Sequence, residues 1–183
     1  IIGGYYNIVA YGDLSAPSTG NTFSNNILQD AYGYSLYLSG NTNAVVRSNE
    51  AHKPTRVDVT TSGIIIDDCP GGIVVGKNRI HNLFDGEPQS TSACYPIYFT
   101  GSDATAANPN VISNNLIYNI NNGEGTIYGM YNNSSDYCNY YHNTVVLDDA
   151  TVVTSETTRG FYQTVSATGI DLQNNIIVVQ RSG

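Results

Sequence analysis

Apolar residues recur along this chain in short alternating runs, never at helical spacing over a useful length. The clearest run is residues 110–119, NVISNNLIYN. It carries an apolar residue, two polar positions, an asparagine, one free position and another apolar residue. Six segments align on that asparagine: Asn26, Asn49, Asn78, Asn115, Asn143 and Asn175. Three residues before it stand Phe23, Val46, Val75, Ile112, Tyr140 and Leu172; two residues after it stand Leu28, Ala51, Ile80, Ile117, Val145 and Ile177. Both columns are apolar or aromatic throughout. The position between asparagine and the second column is mixed: Ile27, Glu50, Arg79, Leu116, Thr144, Ile176. This is the contrast between inward and outward positions of a strand.

A second short strand precedes each segment. Its inward positions are Ile8, Leu36, Ile64, Ile97, Met130 and Phe161, and its outward column is Val9, Tyr37, Ile65, Tyr98, Tyr131, Tyr162. Gly, Ser and Thr cluster after these strands, as turns require. Successive asparagines are 23, 29, 37, 28 and 32 residues apart. A solenoid tolerates such variation, because extra residues go into one turn while the strands keep stacking. The longest insertions, residues 84–93 and 102–109, are expected to be exposed loops. No linker divides the chain, so residues 1–183 are expected to form one domain.

Segments such as GIIIDDCPGGIVVGKNRIHN (63–82) and PNVISNNLIYN (109–119) resemble the rungs of right-handed parallel β-helix proteins, a superfamily that includes pectate lyases, polygalacturonases, phage tailspikes and many surface proteins. The resemblance covers nearly the whole chain. It implies an all-β solenoid of about six rungs with an asparagine ladder, and by itself implies no single function. Rungs about 4.8 Å apart would make a column about 29 Å tall. Stacked asparagines can bond side chain to side chain and satisfy turn backbone that burial would otherwise strand.

Composition agrees. Charged residues are 12% of the chain, about half the usual share, while Tyr numbers 15 and Trp is absent. A net charge of −8 disfavours nucleic acid and anionic membrane as partners, and no apolar run is long enough to span a membrane. The chain starts at Ile1 without a signal peptide, which suggests a mature or excised piece of a longer product. Cys69, Cys94 and Cys138 fit no zinc or redox spacing. They are expected to be buried small apolar residues, with one disulfide between turns left open.

Several side chains could carry chemistry. In-register stacking would place Glu50 beside Arg79 and His52 beside His81, with Lys77 close by. Polysaccharide-cleaving β-helices are similar in gathering basic and acidic groups on one outer strand face, where a cation neutralises a sugar carboxylate and another group moves a proton. A surface ion pair and two solvated histidines account for the same residues. Asp67 and Asp68 resemble the neighbouring aspartates of polygalacturonase-like enzymes, although that family's Gly-His-Gly and Arg-Ile-Lys motifs are missing. Turn carboxylates are the other reading. The Tyr37, Tyr98, Tyr131, Tyr162 column would make an aromatic strip suited to carbohydrate or protein contact, or would simply protect strand backbone. Asn132 and Asn133 begin overlapping glycosylation sequons. Asp85-Gly86-Glu87 offers too few carboxylates for calcium. No other cofactor or metal is implied.

Two functions compete. One is a structural or adhesive extracellular or cell-surface β-helix, binding carbohydrate through the tyrosine strip or stacking end to end with copies of itself. The other is a polysaccharide lyase or glycoside hydrolase, or a fragment of one. An ice-binding surface is set aside, because its threonines do not line up.

Overall fold

The computed structural model describes residues 1–57, 60–149, 156–164 and 166–181. Among them there is no helix. The strands form three six-stranded parallel sheets and one short strand pair. The first sheet stacks Tyr6–Tyr11, Tyr34–Ser39, Thr61–Asp67, Cys94–Thr100, Ile127–Asn133 and Thr158–Thr164. The second stacks Thr22–Ser24, Val45–Arg47, Val74–Gly76, Asn110–Ser113, Cys138–Tyr141 and Asp171–Gln173. The third stacks Ile27–Gln29, Glu50–His52, Arg79–His81, Leu116–Tyr118, Thr144–Leu147 and Ile176–Val179. The chain visits the sheets in turn, so each coil contributes one strand to each. The protein is a parallel β-solenoid.

The aligned columns meet in register. Val46 pairs with Val75, Val75 with Ile112, and Ile112 with Tyr140. Ala51 pairs with Ile80 and Ile80 with Ile117. The inward residues of the middle coils are sealed: Leu36, Ile64, Ile97, Met130, Val75, Ile112, Ile80 and Ile117 expose nothing to solvent. Burial of this continuous stack is the main stabilising term, since no coil can bury its inner face alone. In the sixth coil Leu172 and Ile177, inward by the same pattern, remain about 40% exposed.

Between the second and third sheets the chain turns on two residues. The first lies in the left-handed region in every coil: Asn25, Ser48, Lys77, Asn114, His142 and Asn174 have φ of +55° to +58°. The second is the ladder asparagine. Its Nδ2 donates to Oδ1 of the asparagine one coil on, at 2.9 to 3.1 Å from Asn26 to Asn175. Its backbone N–H donates to the same oxygen. From Asn49 onward, Nδ2 also donates to a second-sheet carbonyl of the preceding coil, as Asn115 does to Val75 at 2.9 Å. The expected ladder is therefore complete, and every rung runs in one direction.

A second ladder, absent from the sequence reading, lines the corner between the first and second sheets. Gly40, Asp68, Gly101 and Ser134 take positive φ there, and Asn41, Cys69, Ser102 and Ser135 follow them. The backbone N–H of Asn41 meets Cys69 Sγ at 3.4 Å; that of Cys69 donates to Ser102 Oγ at 3.0 Å, and that of Ser102 to Ser135 Oγ at 3.0 Å.

Glycine has a packing task in the first sheet. A Cβ on Gly63 would lie 2.8 Å from Ile80, on Gly129 2.6 Å from Val145, and on Gly160 2.1 Å from Ile177. These glycines let the first sheet close against the third.

Three expectations change. Residues 84–93 are not simply an exposed loop: Phe84 and Ser90 are buried, and Glu124 and Gly123 donate backbone bonds to Ser90 and Pro88. The insertion packs against the next coil's loop instead of projecting. Ser102 and Ala104 are likewise buried within 102–109. Ile65 holds its place in the outward column but is only 4% exposed, in register between Tyr37 and Tyr98. The three cysteines are buried, and no disulfide joins them.

Candidate functional site

The outer face of the third sheet gathers most of the candidate polar residues, in the second and third coils. Register pairs Glu50 with Arg79, and Arg79 donates to Glu50 Oε2 at 2.6 Å. Its neighbour His81, two positions on and therefore on the same face, places Nε2 2.9 Å from Glu50 Oε1. The other ring nitrogen, Nδ1, faces Asn82 Oδ1. That amide is oriented by Asp85, whose Oδ2 accepts from Asn82 Nδ2 at 2.6 Å. One chain of bonds thus runs Asp85, Asn82, His81, Glu50, Arg79. Hydrogen bonds from His81 and then Arg79 hold the Glu50 carboxyl below its ordinary range.

His81 also sits in a column of rings. His52 stacks on one face, with centroids 5.4 Å apart, and Tyr118 on the other at 4.8 Å. His52 differs from His81 in having no partner for its buried Nε2 among the described residues. Burial, and then the charge of His81, push its pKa down. Beside this network a groove of about 310 Å³ runs over the first three coils, lined by Asn25, Ile27, Ser48, Glu50, Lys77 and Arg79 among others. Lys77 reaches it from a turn residue at φ +57°.

Comparison with protein-family models, with curated proteins and with solved structures finds no match. The functional reading rests on this geometry.

Asp67 and Asp68 are not part of that patch. They lie at the end of the first sheet, one corner away. Tyr37 donates its hydroxyl to Asp67 Oδ2. Asp68 occupies the left-handed column that glycine fills in neighbouring coils, and its backbone N–H donates to Thr100. No basic side chain bonds to either carboxylate in the described structure.

The tyrosines fall into two clusters separated by Ser62 and Ile65. Tyr6, Tyr34 and Tyr37 stack in the first two coils, with Tyr11 tilted against them. Tyr95, Tyr98, Tyr128, Tyr131 and Tyr162 pack in the last three. Tyr98 and Tyr131 are 4.7 Å apart and 6° from parallel, and Arg159 lies 3.9 Å over Tyr162. Many of these ring faces are therefore covered by a neighbouring ring or by Arg159. The hydroxyls engage a polar column one coil on: Tyr37 with Asp67, Tyr98 with Asn133 at 3.3 Å, Tyr131 with Thr164 at 3.2 Å.

Of the two sequons, Asn132 is fully buried with its amide tied at both ends to Ser135, which leaves no room for a glycan on the folded chain. Asn133 is partly exposed and bonds to Tyr98 and Thr100. Asp85 is taken up by Asn82 and Asn121, and no group of three or more metal-binding side chains occurs among the described residues. Burial pushes the Cys69 thiol up to about 11 and the Cys138 thiol up to about 12, which leaves neither as a nucleophile.

Sequence reasoning missed Asn82 and Tyr118, which orient and pack His81, and the whole second-corner ladder. Asn82 had one available signal. It follows an outward residue in a turn column shared with Asp30 and Asn119, all at φ near +50°.

Proposed function

We propose that the protein is a structural or adhesive extracellular β-helix whose contact surface is the outer face of the first sheet. The observation that carries this reading is the tyrosine face itself. Its rings, hydroxyls, Asn133, Thr164 and Arg159 bond to one another across coils and form a broad, pre-ordered surface. A surface ordered in advance loses little side-chain entropy on contact. Because many ring faces are covered by neighbours, carbohydrate would be held by hydroxyl and amide groups along the strip more than by stacking on ring faces. In-register end-to-end stacking is less favoured: residues 1–3 already pair along the upper edge of Ile27–Gln29, in the layer where a neighbour's Ile176–Val179 would have to lie.

Retention on insoluble polysaccharides tests the reading. Wild type is expected to be retained on at least one, and a Tyr98→Ala, Tyr131→Ala double variant that stays folded is expected to lose at least tenfold. No retention on any of a broad panel, or retention equal in both proteins, would refute the adhesive role.

A second reading, a polysaccharide lyase or hydrolase, is supported by the groove with Lys77, Arg79 and Glu50 on its walls. Release of new chain ends from pectin or alginate, abolished in Lys77→Ala, would establish it.

A further inference from the structure

We propose that the His52–His81 stack is an acid-sensitive joint between the second and third coils: when both rings carry a proton, their repulsion loosens the third-sheet pairing at this point while distant coils stay closed.

The two histidines are in direct register and stacked 5.4 Å apart, yet their surroundings are opposite. His81 has an oxygen acceptor at each ring nitrogen, Glu50 on one side and Asn82 on the other. A neutral ring carries one N–H and can satisfy only one of them; an imidazolium satisfies both. His52 has a buried Nε2 with no partner among the described residues. A proton there would sit without an acceptor, next to a ring that has an oxygen at each nitrogen.

Among the described residues, the charged and titratable groups that act on His52 are these. Asp30 stands beside it on the coil above. Glu50 shares its strand, and Arg79 and His81 stand on the coil below, with Tyr118 beyond His81. Glu50 and Asp30 attract a His52 proton, but both carboxylates are already engaged, Glu50 by Arg79 and His81, Asp30 by Gln29 and Thr55. The net effect, with burial first and His81 second, depresses the His52 pKa. The unfolded chain then binds the proton more readily than the folded one. The stability His52 contributes is complete above about 6.5 and is lost as pH falls toward the lower folded value. Loosening is local because the backbone bonds beside the stack, Asp30 N–H to His52 O and Lys53 N–H to Asn82 O, join only neighbouring coils.

Amide exchange on the wild-type chain, corrected for the intrinsic pH dependence of exchange, provides the test. Between pH 7.5 and pH 5, protection at Lys53, whose N–H bonds across the second and third coils, is expected to fall at least tenfold, and protection at Thr144 and Ile176 to stay within twofold. His52→Gln, which cannot take up the proton, is expected to abolish the change. A uniform fall along the solenoid, or the same fall in His52→Gln, overturns the joint. Ring titration by NMR gives a second reading that needs no variant of His52 itself. Its ring is expected to titrate below an unburied histidine, and His81→Gln is expected to move it upward. An ordinary titration, or no response to His81→Gln, also overturns it.

Discussion

The solenoid turns two of its corners with the same two-residue device and different chemistry. Between the second and third sheets, a left-handed residue is followed by asparagine in all six coils. Between the first and second sheets, a left-handed residue is followed by Asn41, Cys69, Ser102 and Ser135. The first corner uses one side chain with a donor and an acceptor, so each rung makes three bonds. The second joins neighbouring coils by one or two bonds per rung. What a corner requires is a buried acceptor for the preceding coil's backbone N–H. Asparagine is the richest answer, and a hydroxyl or thiol suffices.

The largest expected effect breaks the asparagine corner at mid-column. Asn115→Ala would strand the Asn78 N–H groups and take one bond each from the Val75 carbonyl and from Asn143 Oδ1, which keeps the backbone N–H of residue 115. A loss of roughly 3 kcal/mol is expected from buried groups left unpaired, read as a shift in the urea midpoint at constant slope. An Asn115→Ala chain as stable as wild type would mean that the ladder is ornament.

Breaking the second corner should cost less. Ser102→Ala removes the acceptor for Cys69 N–H and the hydroxyl bonded to Ile66 and Thr100, for about 1–2 kcal/mol. If it equals the Asn115 effect, the number of bonds per rung is not what separates the corners.

The left-handed residue can be tested apart from the ladder. Lys77 holds φ +57°, a conformation that a branched or long side chain adopts at a cost of about 1–2 kcal/mol and that asparagine tolerates better. Lys77→Asn is expected to raise the melting temperature by about 2–4 °C. The smallest change is Cys69→Ser, which replaces one acceptor by another. A stability change under about 1 kcal/mol is expected, and a larger loss would show that the thiol's packing matters more than its bond.

The same contrast explains what could be read from the chain alone. Six identical asparagines at one position form a visible column, and with the apolar residues three before and two after they specified strands, register and the solenoid. The second ladder was hidden because Asn41, Cys69, Ser102 and Ser135 share a role and no chemistry. The pairing of Glu50 with Arg79 and of His52 with His81 followed from register. The roles of Asn82 and Asp85 did not: the turn column of Asn82 with Asp30 and Asn119 gives a position but no partner, and Asp85 lies in an insertion with no column to align with. The tyrosine strip was legible as a column but not as an arrangement: spacing gives position, while ring orientation depends on neighbours one coil away. The packing of Phe84 into the core was hidden for a similar reason, since a polar insertion gave no sign that one aromatic residue in it turns inward.

The one-way run of the asparagine bonds has a consequence for how such a chain changes over generations. Each rung gives to the next what it receives from the one before, so the surfaces above and below any middle coil are interchangeable. A tandem copy of the stretch from one ladder asparagine to the next, or its deletion, leaves both seams chemically familiar. The height of the column is thus free to vary by whole coils without a new solution for the interior, while the outer face is lengthened or shortened with it.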